Sequence, residues 1–259
     1  MPPPVLPALA VESVSKSFEA VRAVADVSFE VAPGSLTCFI GPNGAGKSTL
    51  LHCVAGFLRH DAGRILLEGE DISPWTSHRR ARAGLATVFQ TAAAVGGLDV
   101  LGNAMVGCHA WTRKGFAAGI LKPPGQRREE KAIREAAREA VELVGLAPLA
   151  HRSATTLGFG ELRLLAIARV LAQRPRVLLL DEPVAGLRAA EKARLRAVFL
   201  DLRERGFTQI LVEHDMQFVG AVAERVLVLD QGGLIADGSP QEIRADERVI
   251  AAYLGTATV

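Results

Sequence analysis

Gly41-Pro42-Asn43-Gly44-Ala45-Gly46-Lys47-Ser48 fits the pattern GxxxxGK[ST], and its flanks suit the chemistry that pattern carries. Upstream, Ser35-Leu36-Thr37-Cys38-Phe39-Ile40 reads as a buried strand; downstream, Ser48-Thr49-Leu50-Leu51-His52-Cys53-Val54-Ala55 reads as a helix. A glycine-rich turn between a strand and a helix start aims backbone N–H groups at an anion, and the helix dipole favours the same charge. On this reading Lys47 neutralises the outer phosphates of a nucleotide and Ser48 gives its hydroxyl to Mg²⁺.

Such a site needs a metal-holding carboxylate at the end of another buried strand, and Leu178-Leu179-Leu180-Asp181-Glu182-Pro183 supplies one. Asp181 is the expected metal ligand. Glu182, beside it, is the expected base for a hydrolytic water. Taken alone, an acidic pair after an apolar run also reads as a helix N-cap; the phosphate loop upstream favours the catalytic reading.

Working outward, Gln209-Ile210-Leu211-Val212 and Val226-Leu227-Val228-Leu229 repeat the apolar run of Val177-Leu178-Leu179-Leu180, with helical segments between. That pattern predicts an α/β fold with a mainly parallel sheet. From Leu9 to Val31, alternation before the Pro33-Gly34 turn predicts a small antiparallel sheet. Residues 91–172 read as helical throughout and include a charged helix from Gln126 to Leu146. The basic residues between Arg113 and Arg138 read as the solvated face of an amphipathic helix, ahead of a docking patch.

Composition narrows the class. Of 259 residues 49% are hydrophobic and 22% charged, which excludes a disordered chain or a collagen-like repeat. Lys plus Arg number 30 against 28 Asp plus Glu, so no global field points to nucleic acid. No apolar stretch approaches the roughly 18–20 residues of a membrane span, so the high apolar content suggests a partner surface. Cys38, Cys53 and Cys108 lack ligand spacing and are expected to be reduced, buried thiols. Met1-Pro2-Pro3-Pro4 opens a terminus with no basic residue before Lys16, so a protein retained inside the cell is expected.

The order Phe18, Gly41 to Thr49, Gln90, Leu157-Gly158-Phe159-Gly160-Glu161, Asp181-Glu182-Pro183 and His214 resembles the ATP-binding subunit of ABC transporters over almost the whole chain. The resemblance implies a P-loop NTPase core with an N-terminal antiparallel β subdomain and an inserted helical subdomain. The corresponding boundaries are 1–90 with 173–240 for the core, 91–172 for the helical part and 241–259 for a C-terminal helical tail. It further implies that Phe18 stacks on adenine, and that Gly41, Pro42, Asn43, Gly44, Ala45, Gly46, Lys47, Ser48 and Thr49 hold ATP. Ser48, Gln90 and Asp181 would hold Mg²⁺, with Glu182 and His214 catalytic. Outside that order, Phe18 reads as a core aromatic and His214 as a structural strand-end residue.

The family's signature loop reads LSGGQ and binds the γ-phosphate of ATP held by the opposite subunit; here Leu157, Gly158, Phe159, Gly160 and Glu161 occupy it. Gly158 removes a hydroxyl worth about 1.5–3 kcal/mol to a charged acceptor. Arg188 stands where the family often has Asp. Both departures bear on hydrolysis more than on nucleotide binding.

Ala185-Gly186-Leu187, Glu213-His214-Asp215-Met216 and the tail from Asp246 to Gly255 are similar to branched-chain amino acid importers. Urea or amide importers and the lipopolysaccharide exporter ATPase share parts of these strings. The resemblance implies transmembrane permease subunits, a second ATP-binding subunit and, indirectly, an extracytoplasmic solute-binding protein, with the chain peripheral on the inner face of the cell membrane. The rivals are a soluble ABC ATPase of an assembly scaffold, as in iron-sulfur biogenesis, a lipopolysaccharide-export ATPase, a nucleotide kinase or GTPase, and, given Gly158 and Arg188, a regulatory subunit that barely hydrolyses.

Overall fold

The structure, a computed structural model, describes residues 6–89, 93–108 and 124–255. Among these, strands form two sheets. In the larger sheet, β3 (Leu36–Ile40), β6 (Leu85–Val88), β7 (Val177–Asp181), β8 (Thr208–Val212) and β9 (Arg225–Asp230) run parallel. The order is β10-β9-β3-β8-β7-β6, with β10 (Gly233–Gly238) antiparallel to β9 at one edge. The smaller sheet, ordered β2-β1-β4-β5, is antiparallel: β1 (Leu9–Phe18), β2 (Val21–Val31), β4 (Ala62–Leu67) and β5 (Glu70–Asp71). The sequence expectation for Leu9 to Val31 is thus met by two strands, which β4 and β5 extend.

The apolar runs are continuous because both faces of the parallel sheet are covered. Leu178 and Leu180 point into one core with Cys38, Ile40 and Leu211, whereas Leu179 points into the other with Phe39, Ile210 and Val212. Leu178, Leu179 and Leu180 are each 0% exposed, and full burial of such a side chain contributes about 1.5–3 kcal/mol. The second core also takes α1 (Lys47–Ala55) and the inward residues of β1 and β2. The first takes α3 (Val100–Gly107), α4 (Pro124–Leu143), α5 (Phe159–Leu171) and α6 (Ala189–Glu204). The cysteines are free and buried, as expected.

Among the described residues, the stretch read as helical throughout holds three α-helices, with short 3-10 turns at Ala147–Leu149 and Ala154–Thr156 and non-helical chain between α4 and α5. The helix expected to run to Leu146 ends at Leu143. Gly145, at φ +68°, allows the turn in which Leu146 N–H bonds back to Val141 O at 2.9 Å, a helix-ending arrangement that apolar periodicity cannot reveal. No helix among the described residues is long and apolar enough to cross a membrane. The remaining helices are α2 (Ser77–Arg82), α7 (Met216–Val222), α8 (Pro240–Ala245) and α9 (Glu247–Gly255).

Candidate active site

Register places the chemistry on one edge of the sheet. Phe39, Val212 and Asp181 lie in one row across β3, β8 and β7. The residues that follow them, the phosphate loop, Glu213-His214 and Glu182, therefore emerge together at the carboxyl ends of adjacent parallel strands, where ligands of open α/β sheets bind. The ladder continues past the strands: Glu182 N–H donates to Val212 O at 2.9 Å and Glu213 N–H to Phe39 O at 3.0 Å.

The loop from Gly41 to Ser48 is tightly enclosed at two glycines. A Cβ on Gly41 would lie 2.0 Å from Leu229 O, and one on Gly46, at φ +98°, 2.1 Å from Ala23 O. The Lys47 ammonium bridges the loop, donating to Gly41 O and Pro42 O at 2.8 Å each. Burial lowers its pKa, while the negative charge of Glu182 and Asp181 opposes that shift. Gly46 caps α1 without a side-chain hydrogen bond, which leaves helix-start N–H groups for an anion. Asn43 and Gly44 are exposed, Pro42 and Ala45 are buried, and Thr49 is half-buried in the first turn of α1.

Ser48 Oγ donates to Asp181 Oδ1 at 3.3 Å. Burial raises the Asp181 pKa above its ordinary value, with Glu182 adding to the effect and His52, Ser48 and Lys47 opposing it. Beside it, Glu182 Oε1 lies 4.0 Å from His214 Nδ1. Glu182 has a left-handed backbone, φ +46°, as Glu19, Glu68 and Arg174 do elsewhere in the chain. Glu213 is fully buried, and its carboxylate accepts from Val184 N–H at 3.0 Å and from His214 N–H at 3.3 Å. Burial raises its pKa as well.

Phe18 is 47% exposed at the end of β1. It pairs with Val21 of β2, the strand whose Ala23 packs on Gly46, so the hairpin end lies beside the phosphate loop, and the Lys16 ammonium stands 5.5 Å over the Phe18 ring. Gln90 lies outside the described residues. Its neighbour Phe89 packs edge-on to Phe57, with ring centres 4.8 Å apart. Gly158 to Glu161 start α5, where Gly158 N–H donates to Glu161 Oε2 at 2.9 Å and Phe159 is 52% exposed.

A model of the ABC transporter family matches residues 24–185. The chain belongs to the ABC transporter family. A second model, described as branched-chain amino acid ATP-binding cassette transporter, matches residues 234–258. The chain is 40% identical to the high-affinity branched-chain amino acid transport ATP-binding protein BraF of Pseudomonas aeruginosa, covering 97% of this chain and 99% of that protein. It is 36% identical, at the same coverage, to LivG of Escherichia coli K12, which carries the same description. Among solved structures it is similar to the ADP conformation of MJ1267, an ATP-binding cassette of an ABC transporter: TM-score 0.82, 28% identity, 96% of this chain and 99% of that one. Family membership and the mainly parallel P-loop fold thus agree with the sequence reading.

Three residues near the site escape sequence reasoning. Arg163 on α5 is only 5% exposed, and its Nε and Nη1 have no hydrogen-bond partner among the described residues. Burial lowers its pKa, against the charges of Glu213 and Glu182. Tyr253, on the tail helix α9, has its pKa raised by burial, with the Gly41 backbone as the opposing neighbour. Glu191, in the first turn of α6, contacts the start of α5. In sequence these are an ordinary helix cation, a tail aromatic and a first-turn acid.

Proposed function

We propose that this chain is the ATP-hydrolysing subunit of an importer that moves branched-chain amino acids, or a related amide- or urea-type solute, across the cytoplasmic membrane. The observation that carries the reading is the convergence of Lys47, the Ser48–Asp181 pair and the Glu182–His214 pair on one sheet edge. The solute class rests on the likeness to BraF and LivG and on the branch-type match at residues 234–258.

ATP binds with its phosphates over the start of α1. Lys47 leaves the carbonyls of Gly41 and Pro42 for the outer phosphates, and the N–H groups from Gly44 to Thr49 complete the cradle. Phe18 stacks on the adenine. A hydroxyl beside a single carboxylate suits Mg²⁺, which keeps water and phosphate oxygens as its other ligands. Ser48 and Asp181 would hold it, with Gln90 as a third ligand, and it supplies charge neutralisation on the β- and γ-phosphates. Glu182 accepts the proton of the attacking water. His214 contacts the γ-phosphate, and Glu213 fixes the backbone on which that imidazole is carried.

A second ATP-binding subunit completes the site by presenting its signature loop, while Leu157 to Glu161 of this chain do the same for the partner's nucleotide. ATP must bind the closed pair more tightly than the open one to drive closure. Closure is passed through the Gln90 region to permease subunits, with a solute-binding protein acting on the other side. The chain sits peripherally on the inner membrane face.

Co-expression with the permease subunits tests this reading. The chain should copurify with them, and solute should stimulate ATP hydrolysis in the assembled complex. A chain that purifies without membrane subunits and transfers phosphate to an acceptor instead would overturn it.

A further inference from the structure

The starts of α5 and α6 are joined by one side chain. Glu191 Oε2 accepts from Arg188 N–H at 2.8 Å, closing the first turn of α6, while Oε1 of the same carboxylate accepts from Gly160 N–H at 3.2 Å. Arg188 ends the segment after the catalytic carboxylates, and Gly160 lies inside the signature loop. A single carboxylate therefore spans the starts of two helices that are well separated in sequence. Hydrogen bonds from backbone N–H to an ionised carboxylate are among the stronger ones.

Three further observations make this more than a local cap. Gly160 packs directly against the bridge: a Cβ there would stand 2.7 Å from Glu191 Oε1, so any side chain at this position would push the carboxylate off the Gly160 amide. Phe159 joins the same two segments from outside, since a Cβ on Gly186, at φ +76°, would meet its ring at 3.4 Å. Beside them an open pocket of about 220 Å³ is lined by Gly160, Glu161, Leu164, Glu191, Arg194 and Leu195, among others.

We propose that Glu191 is a positioning residue that holds the signature loop and the Val184–Arg188 segment as one rigid unit for presentation to a nucleotide held by the second subunit. The proposal rests on the function set out above. Donors aimed at a phosphate are effective only when held in place beforehand, because their reorganisation would otherwise offset the interaction. Without the bridge, each segment approaches the partner's phosphate independently.

The test uses the full chain carrying Glu182→Gln, with Glu191→Gln or Glu191→Ala added. Association is measured by sedimentation with Mg-ATP, and binding of a fluorescent ATP analogue to the single subunit is measured in parallel. Glu191→Ala should weaken ATP-dependent association at least tenfold while affinity of the single subunit stays within twofold. Glu191→Gln, retaining one acceptor oxygen, should fall between. Amide exchange supplies an independent readout: in Glu191→Ala, Gly160 and Arg188 should lose protection together. Wild-type association in Glu191→Ala overturns the proposal, as does an equal loss of single-subunit ATP affinity, which would indicate general damage. If the Glu182→Gln parent never associates with ATP, the functional reading fails, and exchange then decides the bridge: joint loss of protection upholds it, loss at one amide or neither overturns it.

Discussion

The Ser48 hydroxyl donates to the Asp181 carboxylate at 3.3 Å, tying the first turn of α1 to the end of β7 across 133 positions of sequence. The bond orients a carboxylate that the fold otherwise disfavours, because burial pushes the Asp181 pKa up. Any task that needs the charged form is therefore opposed to stability at this residue.

Asp181→Asn should stabilise the nucleotide-free protein while abolishing hydrolysis. A carboxyl group whose folded pKa is raised contributes stability that is complete below its unfolded value of 3.8 and is lost as pH rises through the folded value. At neutral pH the charged form is the costly one, so removing the charge raises Tm. Scanning calorimetry should show that gain near neutrality and see it vanish below the unfolded carboxylate pKa. A lower Tm for the variant across the whole range would contradict the assignment.

Gly41→Ala and Gly46→Ala should fail differently from Gly44→Ala. The first two place a methyl group 2.0 Å from Leu229 O and 2.1 Å from Ala23 O, both backbone atoms that cannot move aside. Clashes of this kind cost at least about 1–3 kcal/mol beyond the penalty for positive φ. Gly44, at φ +80°, has nothing within 4 Å of a built Cβ, so its alanine variant carries only the backbone penalty of about 1 kcal/mol. Urea midpoints for the three variants should separate into two large losses and one small one.

Glu182→Gln and His214→Ala should retain Mg-ATP and lose turnover. Neither side chain is part of the packed core: they are 30% and 58% exposed, and their functional atoms face each other at 4.0 Å. Loss of a positioned general base lowers rates about 10²–10⁴-fold, and loss of a γ-phosphate contact should act on kcat ahead of KM. Rapid-quench measurement of phosphate release in the assembled complex checks this, and unimpaired turnover in Glu182→Gln would move the base elsewhere.

Local chemistry made much of this structure legible. The phosphate loop, the apolar strands and the acidic pair each occupy contiguous residues, and strand order then follows from connecting parallel strands through helices. Phe18, His214 and the stretch from Leu157 to Glu161 stand out only through their order along the chain, not through a local pattern. What stayed hidden depends on long-range register or on one atom. Glu191 looks like the acid of any first helical turn until Gly160 N–H is seen beside it. Arg163 reads as a polar position on an amphipathic helix, yet it is buried. Gly145 ends α4 through its backbone, and no periodicity of apolar side chains marks that point.

Gly158→Ser should tighten the ATP-dependent pair while hardly changing the fold. Gly158 has extended backbone, φ −69° and ψ 165°, which any residue adopts, and a Cβ there would meet Glu161 Oε2 at an ordinary 3.7 Å. Serine instead of glycine at a helix N-cap changes stability by only a few tenths of a kcal/mol. With Glu161 already accepting from Gly158 N–H, the new hydroxyl completes the reciprocal cap by accepting from the helix N–H. It still keeps its own proton to donate. Aimed at a γ-phosphate, that donor is worth about 1.5–3 kcal/mol, or roughly 10- to 150-fold in the association constant. Sedimentation of the Glu182→Gln chain with and without Gly158→Ser, at fixed Mg-ATP, measures the difference directly. An unchanged constant would mean that this loop does not meet the partner's phosphate through position 158, and hydrolysis would then owe nothing to the missing hydroxyl.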